Sequence, residues 1–164
     1  MTPQEQWNAI SGLAAWSPWA PFADSAAHAP KLPGVYLFRD PRDHTVVYAG
    51  MAGERAGSGS AKGLWGRLGV YRISKGATSG FGEAVFDRAL SDVDFVTRQL
   101  ERTRAGEVIR AKAWAKDAIA WWNPELCWAT CATRADAAAL ELNVLAALAD
   151  SGLWNRGTSR RSPA

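Results

Sequence analysis

Cysteine is scarce in this chain: Cys127 and Cys131 are the two it has. A single Cys-x3-Cys pair offers no disulfide framework, and without a second pair or a neighbouring histidine it is poor zinc chemistry, so two reduced, packed thiols are expected. Histidine is as sparse, and His28 and His44 fit no catalytic or metal-ligand spacing; both read as loop residues. No apolar run approaches the roughly 20 residues that span a bilayer. The start, Met1-Thr2-Pro3-Gln4-Glu5-Gln6, lacks the basic segment and apolar run of a signal peptide. These absences exclude a disulfide scaffold and a helical membrane protein, and a soluble cytoplasmic protein is expected.

What is present suits one folded domain. The 164 residues are 48% hydrophobic, enough to build a core. The net charge of +3 is modest but uneven. Between Glu54 and Lys75 the single acid, Glu54, faces Arg55, Lys62, Arg67, Arg72 and Lys75. That local excess suits a phosphate-rich partner, although a solvated basic helix would look the same. Nine tryptophans are unusual at this length; some could stack on bases, and most are expected in the core or as clasps.

Turn and cap chemistry divides the chain. Thr2-Pro3-x-Glu5 opens a short helix carrying Trp7, Ile10 and Leu13. Trp16-Ser17-Pro18-Trp19-Ala20-Pro21-Phe22 then breaks regularity and reads as an aromatic strap or a nucleic-acid-contacting arm. Gly34-Val35-Tyr36-Leu37-Phe38 and Val46-Val47-Tyr48-Ala49-Gly50, joined through Asp40-Pro41-Arg42-Asp43, read as a β-hairpin. A glycine-rich loop from Met51 to Ser60 leads to a helix from about Ala61 to Ser74, and a short helix follows near Glu83 to Leu90. Ser91-x-x-Asp94 offers a capping box, and residues 92–122 read as helical with a break at Ala105-Gly106. Asn123-Pro124 ends that run. Leu126 to Cys131 reads as a third strand, and Thr133-x-x-Asp136 caps a last helix reaching about Ala149.

The expected fold is therefore α+β: a small three-stranded, mainly antiparallel sheet covered by helices, with an N-terminal helical extension over residues 1–32. Residues 33–155 form the main domain and the basic tail 156–164 is expected to be disordered.

Two helices carry candidate chemistry. On the first, Leu64, Arg67, Leu68 and Tyr71 recur at i, i+3, i+4 and i+7, so Arg67 and Tyr71 project together beside the apolar contacts. On the last, Leu140, Val144, Leu145 and Leu148 share one side, with Glu141 near its middle. A carboxylate there needs a cation, either a buried arginine as a structural tie or a metal ion.

With Gly34-Val35-Tyr36 and Tyr48-Ala49-Gly50 separated by eleven residues between the two tyrosines, the hairpin resembles the signature of the GIY-YIG nuclease family. Leu64-Trp65-Gly66-Arg67-Leu68 followed by Tyr71 is similar to that family's catalytic-arginine helix. Ala139-Leu140-Glu141-Leu142-Asn143-Val144-Leu145 is similar to its final helix, and Asn155 resembles an asparagine that some members place near the site. Arg67 lies nineteen positions after Tyr48, longer than in compact members, which leaves Arg55 as the alternative arginine.

The resemblance implies hydrolysis of DNA, or of RNA, leaving 5′-phosphate and 3′-hydroxyl ends, with one Mg²⁺ or Mn²⁺ held by Glu141. It assigns Tyr48 as base or proton relay, Tyr36 to the water or metal shell, Arg67 and Tyr71 to the phosphate, and Arg55, Lys62, Arg72 and Lys75 to substrate binding. A monomer or homodimer would serve. The rival readings are a non-catalytic nucleic-acid-binding module and a toxin-like accessory protein that binds another protein through its tryptophans.

Overall fold

The computed structural model describes residues 1–53, 62–73, 80–107 and 110–155. Helices α1 (Pro3–Ser11), α2 (Phe22–Ser25), α3 (Gly63–Arg72), α4 (Phe81–Ala89), α5 (Val93–Arg104), α6 (Ala111–Trp122) and α7 (Arg134–Ala147) accompany strands β1 (Ala20–Pro21), β2 (Gly34–Arg39), β3 (Val46–Ala52) and β4 (Glu125–Thr130). The fold is α+β, with one sheet in the order β1-β4-β2-β3 and every pairing antiparallel. Among the described residues no helix is long and apolar enough to cross a membrane. The expectation for residues 156–164 lies outside the described residues.

The sheet has four strands rather than three, because the tryptophan-rich strap supplies one. Ser17 N donates to Trp128 O at 2.8 Å, Ser17 Oγ accepts from Trp128 N at 3.0 Å, and Phe22 N donates to Pro124 O at 2.8 Å. Pro18 and Pro21 have no N–H to leave unmet, which is why proline is tolerated on an edge strand. Two aromatic contacts fix the strap from outside: Trp19 meets Trp7 edge-on at 5.8 Å, and the Arg39 guanidinium lies 4.5 Å from the Trp19 ring centroid.

Strand alternation sends side chains to two cores. One face carries Tyr36, Phe38 and Leu126 against Leu64, Leu68, Tyr71, Phe81 and Trp122 of α3, α4 and α6. The other carries Val35, Leu37, Ala49 and Cys127 against Ile10 of α1 and Val144 and Leu148 of α7. Both cysteines are free, and burial pushes the Cys127 thiol well above its usual range. Hence α3 and α7 lie on opposite faces of the sheet, and side chains from the two can meet only around a strand edge.

Caps place the helix ends. Thr2 and Thr133 each form the full reciprocal capping box, with Glu5 and Asp136. For α5 the cap is Asp92 rather than Ser91: its carboxylate accepts from Phe95 N at 2.8 Å, while Ser91 Oγ bonds back to Asp87 O. The one-residue shift turns Phe95 inward, where it is buried. Asn123 adopts the left-handed conformation that ends α6 ahead of Pro124. At α3 no side chain caps the start; Leu64 N and Trp65 N donate instead to Leu32 O and Pro30 O, tying the helix to the chain just before β2.

Gln6 is a buried polar exception. Fully enclosed, it accepts from Val46 N at 2.8 Å and donates to Val46 O at 3.2 Å, so α1 completes the backbone bonding at the start of β3.

Candidate functional site

The hairpin register sets the tyrosines. Tyr36 pairs with Gly50 and Phe38 with Tyr48, so Tyr36 and Tyr48 share a face, with ring centroids 6.4 Å apart and nearly parallel. A Cβ at Gly50 would stand 2.5 Å from the Tyr36 hydroxyl, so only glycine leaves room for that ring. Tyr71, four residues after Arg67 on α3, brings its hydroxyl to 3.1 Å from that of Tyr36. Phe81 stacks on Phe38 at 3.7 Å and meets Tyr48 and Tyr71 edge-on. The three phenols are thus held by an aromatic floor rather than by flexible contacts.

Gly80 closes this cluster from the α4 side. Its φ of +54° and ψ of −125° are open to glycine, and a Cβ there would lie 3.0 Å from the Tyr48 hydroxyl and 3.2 Å from the Tyr71 hydroxyl. Both hydroxyls therefore point at the start of α4.

Depth differs among the three. Tyr36 and Tyr71 are buried and Tyr48 is half-exposed. The Tyr36 hydroxyl, for which the resemblance implies a water-shell role, lies in the core and bonds to that of Tyr71. Burial, together with its phenolic neighbours, pushes Tyr36 far above the usual phenol range. Tyr48 is also raised, first by burial and then by Tyr71, while the Arg67 charge pulls it down. Tyr48 is a neutral phenol at ordinary pH.

The open edge of β3 is where the two faces communicate. Residues 47, 49 and 51 turn their backbone groups outward, and each has a partner. Trp154 N donates to Val47 O at 2.7 Å. The Asn155 side chain takes both groups of Ala49, accepting from its N–H at 3.1 Å and donating to its carbonyl at 2.6 Å. The Met51 N–H lies close enough to the Glu141 carboxylate to favour its charged form. An unpaired strand edge is an aggregation hazard, and here a chain segment and two side chains cover it.

Glu141, carried on α7, stands within electrostatic reach of the tyrosine side. Burial raises its carboxyl above the usual range, opposed by the Met51 amide and by the positive field of Arg67. The Glu141 charge is in turn felt at Tyr48. Arg67 is exposed, and its charge reaches Tyr36, Tyr48 and Glu141. Tyr48, Arg67 and Glu141 thus act on one another electrostatically, with Tyr36 stacked on Tyr48 and bonded to Tyr71. Lys62 and Arg72 are exposed at the two ends of α3. Arg55 and Lys75 lie outside the described residues.

A single carboxylate at this point suits one hydrated divalent ion of the Mg²⁺ type, which keeps most of its waters and takes one or two protein carboxylates. Among the described residues no three His, Cys, Asp or Glu side chains cluster.

Next to Tyr48 a cavity of about 490 Å³ opens between α4 and the 153–155 segment. Gly80, Arg88 and Trp154 contribute to it and appear in no sequence motif. A glycine directly before an apolar helix start was the available signal for Gly80, but not for what it faces.

Comparison with known proteins finds no matching family model, no matching curated protein and no matching solved structure.

Proposed function

We propose that the chain is a metal-dependent phosphodiesterase of the GIY-YIG type, a DNA endonuclease leaving 5′-phosphate and 3′-hydroxyl ends. One observation carries the reading: Tyr48, Arg67 and Glu141, on three separate elements, fall within one another's electrostatic reach. A divalent ion on the Glu141 carboxylate would supply Lewis-acid polarisation of a phosphate oxygen.

The remaining chemistry belongs to the side chains. Arg67 presents a permanent, planar cation to the phosphate oxygens as they gather charge. Tyr48, a neutral phenol, works as a relay: its oxygen takes the proton of the attacking water while its own proton leaves to solvent. Tyr71, itself bonded to Tyr36, stands beside that hydroxyl. Lys62 and Arg72 extend the positive surface along α3.

The test is cleavage of supercoiled plasmid, branched DNA and RNA with Mg²⁺ or Mn²⁺ present and with chelator, using Glu141→Ala as the control. Metal-dependent nicking that disappears in the variant is expected. Absence of nicking, or equal nicking by the variant, overturns the assignment.

A second reading has its own observation. Glu141 and Asn155 both serve the β3 edge, so the same residues would suit a non-catalytic nucleic-acid-binding module. DNA binding in chelator with no nicking after metal addition favours it.

A further inference from the structure

The cavity beside Tyr48 has two chemically distinct rows, both from α4. Glu83 and Asp87 stand one turn apart, and Ala84 and Arg88 form the adjoining row about 100° round the helix. Arg88 is the cation among its described lining residues. Its guanidinium lies 3.7 Å from the Trp154 ring centroid, and Trp154 is backed in turn by Trp122 at 4.7 Å. One Arg88 nitrogen, Nη1, donates to Ala84 O at 2.8 Å. The plane of the guanidinium is thus fixed by an indole face and a helix carbonyl.

Arg88 forms no ion pair among the described residues, although the Asp87 charge acts on it from nearby. Its other N–H groups remain for a planar or tetrahedral oxyanion, the geometry that an arginine fork serves best. The adjoining acidic row disfavours a ligand that is wholly anionic. Glu83 and Asp87 accept hydrogen bonds, and the amino group of a nucleobase edge is the donor that accompanies a phosphate in nucleic acid. At about 490 Å³ the cavity is within the span of small-ligand sites, about 300–1,000 Å³. Tyr48 and Asn155 line its mouth, so an occupant adjoins the proposed reaction centre.

We infer that this cavity is a subsite for one nucleotide next to the scissile phosphate, with Arg88 holding its 5′-phosphate and the Glu83–Asp87 row receiving an exocyclic amino group. The inference deepens the nuclease reading by naming a residue that binds substrate and a class of base that fits. Arg88 is assigned a positioning role, not a chemical one.

The first measurement is the anisotropy of a fluorescein-labelled DNA duplex with the full chain, in EDTA, over a series of NaCl concentrations. Arg88→Met is expected to weaken binding several-fold and to lower the slope of log K against log salt by about one, the signature of one lost phosphate contact. Arg88→Lys should keep the slope and recover part of the affinity, because it retains charge but not the stacked plane. The second measurement follows the Trp154 indole N–H by NMR, assigned with Trp154→Phe, during titration with dCMP and with dTMP. dCMP is expected to shift it at several-fold lower concentration than dTMP, and Asp87→Asn with Glu83→Gln should erase the difference. An unchanged salt slope in a folded Arg88→Met, or equal behaviour of the two nucleotides, overturns the subsite even when plasmid cleavage is robust. Arg88-dependent binding with no cleavage supports the subsite and overturns the nuclease reading instead.

Discussion

Glu141→Gln separates the two duties of this side chain. The Met51 N–H faces the carboxylate, and a glutamine amide oxygen can meet it in the same way. What glutamine lacks is charge. In Glu141→Ala the acceptor is lost as well, and an edge N–H left partly to water costs about 1 kcal/mol. For a chain of this size that is a fall in melting temperature of about 2–4 °C. Glu141→Gln should show no such fall, and its melting temperature at pH 7 should match or exceed that of wild type, since burial opposes the charged form.

The sign can be checked with pH. A carboxyl whose pKa is raised by folding contributes stability that is fully present below its unfolded pKa, about 4.3, and lost as pH rises through the folded value. The difference in melting temperature between Glu141→Gln and wild type should therefore be largest near neutrality and shrink towards zero below about pH 4. Comparing the two proteins cancels the acid lability that both share from Asp40 and Glu125, whose carboxyls sit below their usual range beside Arg42 and Arg39. In the nuclease assay both variants should lose roughly 10²–10⁴ in rate, equivalent to about 3–5 kcal/mol of transition-state stabilisation. A Glu141→Gln protein that cleaves at the wild-type rate refutes the catalytic assignment. One that melts as low as Glu141→Ala refutes the separation of charge from hydrogen bonding.

Arg67→Ala should reduce cleavage by roughly 10²–10³, as for removal of one transition-state donor, yet leave the melting temperature within about 2 °C because the side chain is exposed; Arg67→Lys should recover only part of the rate, read by single-turnover kinetics. Gly80→Ala places a Cβ against the Tyr48 and Tyr71 hydroxyls and forces a glycine-only backbone, so a loss of about 1–3 kcal/mol is expected by urea denaturation, together with reduced activity. Gln6→Leu keeps the volume but strands both backbone groups of Val46 in a fully enclosed site; a loss of about 2–4 kcal/mol and faster hydrogen exchange at the start of β3 should follow.

Local chemistry was readable where it decides local structure. The capping boxes at Thr2 and Thr133, the Asn123-Pro124 stop and the alternating hairpin strands all appear as their residues require. The stripe Leu64, Leu68, Tyr71 is buried on α3 and Arg67 beside it is exposed. What escaped the sequence was non-local. The strap Trp16–Phe22 has two prolines and no periodicity, so its pairing with β4 could be known only once β4 offered an edge. Gly80 adjoins two hydroxyls that come from β3 and α3, and nothing in residues 79–82 encodes their arrival. The choice of Asp92 over Ser91 as cap turned on which register buries Phe95. Periodicity also tells which face of α3 or α7 is apolar, but not which side of the sheet either helix covers.

That last point decides how the site is built. α3 and α7 cover opposite faces, so their side chains are screened from each other by the sheet everywhere except past an edge strand. β3 is that edge, and an edge must be covered in any case. Glu141 approaches it at Met51, where its carboxylate stands in the field of Arg67 and its own charge acts on Tyr48. The need to close the sheet and the need to bring a negative charge to the tyrosines are met by one side chain. It follows that replacements at 141 which preserve the edge contact should leave the fold intact while changing the charge at the tyrosines, whereas replacements at Ala49 or Met51 that disturb the edge should weaken both together.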